Sequence, residues 1–163
     1  MPTTELGAAN FEATIKDNSI VFIDWWASWC GPCRAFAPIY ERLAAKHTDI
    51  VWGKVDTDAE QDLASGFAIR SIPTLMVFRD GVLIFEQPGM MSAVALDGLV
   101  EKVRALDMAE VKRRIAEQHG GNIAGGDFRL GADKGKVAVH DMSLDHAVAL
   151  DPQKEEPFPT GKR

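Results

Sequence analysis

One junction constrains this chain more than any other. A nearly continuous apolar run, Ile20-Val21-Phe22-Ile23-Asp24-Trp25-Trp26, leads through a short loop into Cys30-Gly31-Pro32-Cys33, after which a helical pattern begins. The run has strand length and reads as a central strand covered on both faces. A strand-to-helix junction with Cys-x-x-Cys at the helix start reads as a redox dithiol, because helix amides and the helix dipole favour a thiolate there. Cys30 is expected to be the attacking sulfur, with a pKa below the roughly 8.5 of a free thiol. Cys33, one turn further in, is expected to be the shielded partner that resolves the mixed disulfide. Pro32 has no N–H to lose in a first helical turn and stiffens the loop without breaking the helix. The spacing argues against two unrelated structural cysteines.

Composition closes off other classes of function. The net charge of −6 argues against a nucleic-acid surface, and the apolar fraction of 46% is ample for a core. No apolar run approaches the roughly 18 residues of a membrane span. Met1-Pro2-Thr3-Thr4-Glu5-Leu6 has neither a basic start nor an apolar stretch, so secretion is not expected. The 2 cysteines of the chain cannot build a disulfide scaffold. Without a signal they are expected to be reactive thiols in a reducing compartment, the cytoplasm. Structural zinc needs about four ligands, and His119, His140 and His146 are too scattered to complete a site with Cys30 and Cys33. No metal or other cofactor is therefore expected. His47 falls late in a helix, where a cation is favoured, and needs no function.

Along the chain, Phe11 and Ile15 mark a short helix ending at the turn cluster Lys16-Asp17-Asn18-Ser19. Asp24 breaks the central apolar run. Phe36, Ile39, Tyr40 and Leu43 carry a helix to about Lys46, interrupted by Pro38. Ile50–Val55 reads as a second strand, followed by a short helix with Leu63 and Phe67, capped near Asp58. Ile72–Phe78 and Val82–Glu86 form a hairpin across Arg79-Asp80-Gly81. Gly89 marks a bend, and Ser92 caps a helix whose Leu96, Leu99, Val100, Val103 and Leu106 share one face. The order implies a mixed sheet, parallel then antiparallel, with helices on both faces.

Residues 1–106 complete that domain, and residues 107–163 are an extension of different character. Asp107 and Glu110 have capping-box spacing for a short helix to about His119. A glycine-rich stretch follows and reads as a linker, with a small edge strand at Lys136–His140 and one weak helical turn at Leu144–Val148. The end, Pro157–Arg163, is expected to be disordered. The default expectation is a solvated helix with a largely disordered extension. The sharper alternative docks Val111, Ile115, Val137 and Val139 on the domain or on a second copy.

With these parts in place, residues 1–106 resemble the thioredoxin family. Asp24-Trp25-Trp26-Ala27-Ser28-Trp29-Cys30-Gly31-Pro32-Cys33-Arg34 is similar to its active-site segment, and Arg70-Ser71-Ile72-Pro73-Thr74 to its cis-proline signature. Gly89 falls where the family keeps a glycine before its last helix. The resemblance implies the three-layer α/β thioredoxin fold, with the dithiol at the carboxyl end of a central strand. It also implies a protein-disulfide reductase acting on disulfide-containing clients and recharged by a thioredoxin reductase.

Residue by residue, it makes Asp24 the buried carboxylate that takes a proton from Cys33. Lys54 becomes the lysine that limits that group's pKa rise. Burial alone argues the same for Asp24, whose pKa should climb well above ~3.9. The resemblance assigns Trp29, Gly31, Pro32, Ile72, Pro73 and Gly89 to the surface that meets the substrate, with Pro73 cis and Trp26 packed beneath the site. Trp25 departs from the family pattern, which has phenylalanine there, so the core around it must repack. Gly-Pro between the cysteines resembles reducing members more than oxidising ones. Two rivals stay open: a dedicated reductant for one partner, and a binding module or holdase that uses the fold as a scaffold.

Overall fold

The computed structural model describes residues 2–118, with side chains to residue 116. Its strands are β1 (Thr4–Glu5), β2 (Ile20–Trp26), β3 (Val51–Asp56), β4 (Thr74–Arg79) and β5 (Val82–Pro88). Its helices are α1 (Phe11–Asp17), α2 (Gly31–Lys46), α3 (Gln61–Gly66), α4 (Ala93–Ala105) and α5 (Met108–Gln118). The strands form one sheet in the order β1-β3-β2-β4-β5. β3 runs parallel to both β1 and β2, while β4 is antiparallel to β2 and β5. The mixed sheet is as expected. β1 is too short and polar to show a strand pattern, and the sequence reading misses it.

β2 is central because its side chains can be buried on both faces. Phe22 joins Phe36, Tyr40 and Leu43 of α2 and Leu96, Leu99, Val100 and Val103 of α4 in one core. Val21, Ile23 and Trp25 face the other way, onto Phe11 and Ile15 of α1 and Leu63 of α3. Strand alternation therefore puts Asp24 and Trp26 on the α2 side with Phe22. The larger Trp25 ring is absorbed without exposure, 6.0 Å from Phe11 and 5.4 Å from Phe67 between centroids.

The β4–β5 turn has both central residues left-handed, Asp80 at φ 51° and Gly81 at φ 77°, which matches the twist of a two-residue hairpin. Ser92 caps α4 as expected, its hydroxyl accepting from the Ala95 amide at 3.1 Å. The expected cap at Asp58 is wrong. Asp56 Oδ1 accepts from the amides of Asp58 and Ala59, at 2.9 and 3.3 Å, while α3 begins after Glu60 with no side-chain cap.

The expectation of a solvated helix after Leu106 also needs correction. Asp107 caps α5 by accepting from Ala109 and Glu110, but the helix is not free of the domain. Met108 enters the α2/α4 core, Val111 packs against it, and Ile115 is 3% exposed. The core thus continues past the residue where the family pattern ends. The glycine-rich stretch, Val137, Val139 and the elements proposed at 136–140, 144–148 and 157–163 lie outside the described residues.

Candidate active site

Cys30 and Cys33 are joined in a disulfide with Cα atoms 5.2 Å apart. Cys30 is the N-cap of α2, extended at φ −83° and ψ 111°, with Gly31 and Pro32 in the first turn. The Cys33 amide donates to Cys30 Sγ at 3.2 Å, so a helix N–H already points at the sulfur that would carry negative charge. Exposure does not separate the pair, at 4% for Cys30 and 3% for Cys33. Position does: one sulfur caps the helix and the other lies inside it.

Around the disulfide, Ala27 is buried with both cysteines, and Trp26 and Ile72 pack against them. The Ile72–Pro73 bond is cis, and the Ile72 carbonyl oxygen lies 3.7 Å from Cys30 Sγ. Gly89, at φ 91°, donates its amide to the Pro73 carbonyl at 2.8 Å. Nothing crowds a Cβ at Gly89, so the backbone angle is what favours glycine there. The segments around 30, 72 and 89, far apart in sequence, are tied into one surface.

Trp29 is 66% exposed beside the dithiol, and its indole N–H donates to Asp58 Oδ2 at 2.9 Å. In the sequence Asp58 reads only as a helix-start residue, with no hint of this contact. No local sequence signal gives it, because it depends on the parallel register that sets Trp26 against Asp56 and brings the chain after β3 to the dithiol loop.

Asp24 is fully buried, and neither carboxyl oxygen has a hydrogen-bond partner. Burial pushes its pKa up to about 7, with the Lys54 charge opposing the rise. Lys54 is the cross-strand neighbour of Asp24, and its ammonium lies over the Trp26 ring at 4.9 Å from the centroid. Tyr40, also buried, donates its hydroxyl to the Gly53 carbonyl at 2.7 Å. Among the described residues no group of three or more His, Cys, Asp or Glu is arranged to hold a metal ion. No described helix is long and apolar enough to cross a membrane.

A helix-capping cysteine pair on a five-stranded mixed sheet, with a cis-proline beside it, defines a thiol–disulfide oxidoreductase. Residues 2–104 match the thioredoxin family model, and the chain belongs to the thioredoxin family. It is 50% identical over 116 residues to "Putative thioredoxin 2" of Streptomyces coelicolor, covering 71% of this chain and 87% of the relative. Among solved structures, a point mutant of a thioredoxin from Halobacterium salinarum superposes with a TM-score of 0.59 at 37% identity, covering 65% of this chain and 96% of that one. Oxidised mitochondrial thioredoxin 3 of Saccharomyces cerevisiae does so with a TM-score of 0.56 at 30% identity, covering 64% and 95%. The activity is protein-disulfide reduction through Cys30 and Cys33.

Proposed function

We propose that the protein reduces client disulfides in two exchanges, with Asp24 as the proton acceptor of the second. In the first, the Cys30 thiolate attacks a client sulfur and the client S–S bond breaks. A Cys30–client bond forms, and the freed client thiolate takes up a proton. In the second, Cys33 gives its proton to Asp24 through a water and attacks Cys30 Sγ. The Cys30–Cys33 bond closes and the second client sulfur leaves. The dithiol supplies both electrons, and a thioredoxin reductase returns them in the cytoplasm.

The unpartnered Asp24 carboxyl carries this reading, because a proton affinity near neutrality suits a group that must accept and return a proton. Lys54 keeps that affinity from rising further. Trp29, Gly31, Pro32, Pro73 and Gly89 form the face that meets the client, and the Ile72 backbone pairs with an extended client strand. The cis-proline and the Gly89-to-Pro73 hydrogen bond beside Cys30 support that assignment.

Asp24→Asn should form the mixed disulfide at the normal rate and resolve it on the order of 100-fold more slowly. Single-turnover mixing with a disulfide peptide reads both steps. Unchanged resolution would remove the proton role.

A further inference from the structure

Lys54 has two neighbours that could take its ammonium. The parallel register sets it opposite Asp24, and Trp26 projects from the same face of β2 one side-chain repeat further along. A lysine facing a buried carboxylate is a natural ion-pair partner. Instead its Nζ lies 4.9 Å from the centroid of the Trp26 ring, and both Asp24 oxygens are left without a hydrogen bond. The same Trp26 packs against the cluster of Ala27, Cys30 and Cys33. One indole therefore touches both the dithiol environment and the lysine.

We propose that Trp26 is a positioning residue: its ring face holds the Lys54 ammonium off the Asp24 carboxyl and so keeps that carboxyl able to accept a proton. This rests on the reading of Asp24 as the acceptor from Cys33. A cation over an indole face is attracted by the ring quadrupole, more strongly over Trp than over Phe. Brought within hydrogen-bond reach, the same ammonium would hold Asp24 ionised and lower its proton affinity by about one to three units.

The other elements packed on Asp24 offer no competing charge. Tyr40 of α2 spends its hydroxyl on the Gly53 carbonyl, and the β4 register partner is Leu75. Cys30 and Cys33 are bonded to each other. The position of Lys54 is thus the adjustable quantity, and Trp26 sets it.

The test titrates the Asp24 carboxyl carbon by NMR in the oxidised protein. Trp26→Leu should lower the midpoint by about one unit, and Trp26→Phe should lower it less, because phenylalanine keeps part of the attraction. Lys54→Met alone should raise it. In a Lys54→Met background, Trp26→Leu should no longer lower it. An unmoved midpoint in Trp26→Leu would overturn the proposal. So would an equal fall with and without Lys54, which would assign the effect to water entering around a smaller side chain. If Trp26→Leu does not fold, Trp26→Phe in the two backgrounds carries the same comparison. Failure of the Asp24 reading would show elsewhere, as wild-type resolution kinetics in Asp24→Asn.

Discussion

The two ends of α2 place aspartates in opposite circumstances. Beyond its C-terminal end, Asp97 accepts from Lys46 Nζ and from His47 Nε2, each at 2.7 Å. Arg104 donates to both oxygens of Asp49, at 2.9 Å to Oδ1, and approaches His47 Nδ1 at 3.2 Å. The Lys46 and His47 hydrogen bonds hold Asp97 below the usual carboxylate range, and the Arg104 bond does the same for Asp49. His47 lies nearly parallel to Trp52, 6.4 Å away between ring centroids, so this cluster ties the end of α2 to α4 over the core. At the N-terminal end, Asp24 is buried with no hydrogen bond, and its pKa moves the other way. One cluster is satisfied and structural. The other leaves a buried carboxyl unsatisfied, which is where the proposed proton transfer would fall.

The sharpest way to test this contrast is the pH dependence of stability. The folded state raises the Asp24 pKa from 3.8 to about 7, so it binds that proton more tightly than the unfolded chain does. Wild-type stability should therefore fall as pH rises from about 4 through 7, and the loss should be complete above that. Asp24→Asn lacks this term. Its stability relative to wild type should climb across the same window by on the order of 4 kcal/mol, read from urea unfolding at several pH values. A flat difference would mean that Asp24 is not held protonated by burial.

The structural end should respond differently. His47→Ala removes a buried ring bonded on both sides and should cost about 1–2 kcal/mol of unfolding free energy, leaving insulin reduction unchanged. Loss of activity in a folded His47→Ala protein would break the division between the two ends. The smallest effect belongs to Asp49→Asn, an exposed partner of Arg104, which should cost below about 1 kcal/mol and fade in high salt. A larger, salt-insensitive loss would show that the Arg104 network is more tightly coupled than its exposure suggests.

These two ends were not equally legible in the sequence. Asp24 announces itself, because a carboxylate inside an apolar strand has no hydration to spare. The Cys30–Cys33 spacing likewise carries its chemistry locally, whereas the cis Pro73 comes from the family resemblance. The His47–Asp97–Arg104–Asp49 network does not, since it joins residues far apart in sequence with no local pattern. Asp58 was visible as a turn residue, but its use as the acceptor for Trp29 depends on where β3 ends beside β2. The docking of α5, which the sequence leaves open as the alternative to a solvated helix, brings Met108, Val111 and Ile115 of a mostly polar helix against the domain. A short apolar face on a mostly polar helix cannot tell from sequence alone whether a surface waits to receive it.

The redox account stands most directly on a thiol count. Fully reduced protein mixed with excess oxidised insulin should release two client thiols per chain as Cys30 and Cys33 close their disulfide, while Cys30→Ser should release none. Release of client thiols by Cys30→Ser, or their absence with the wild-type chain, would contradict it.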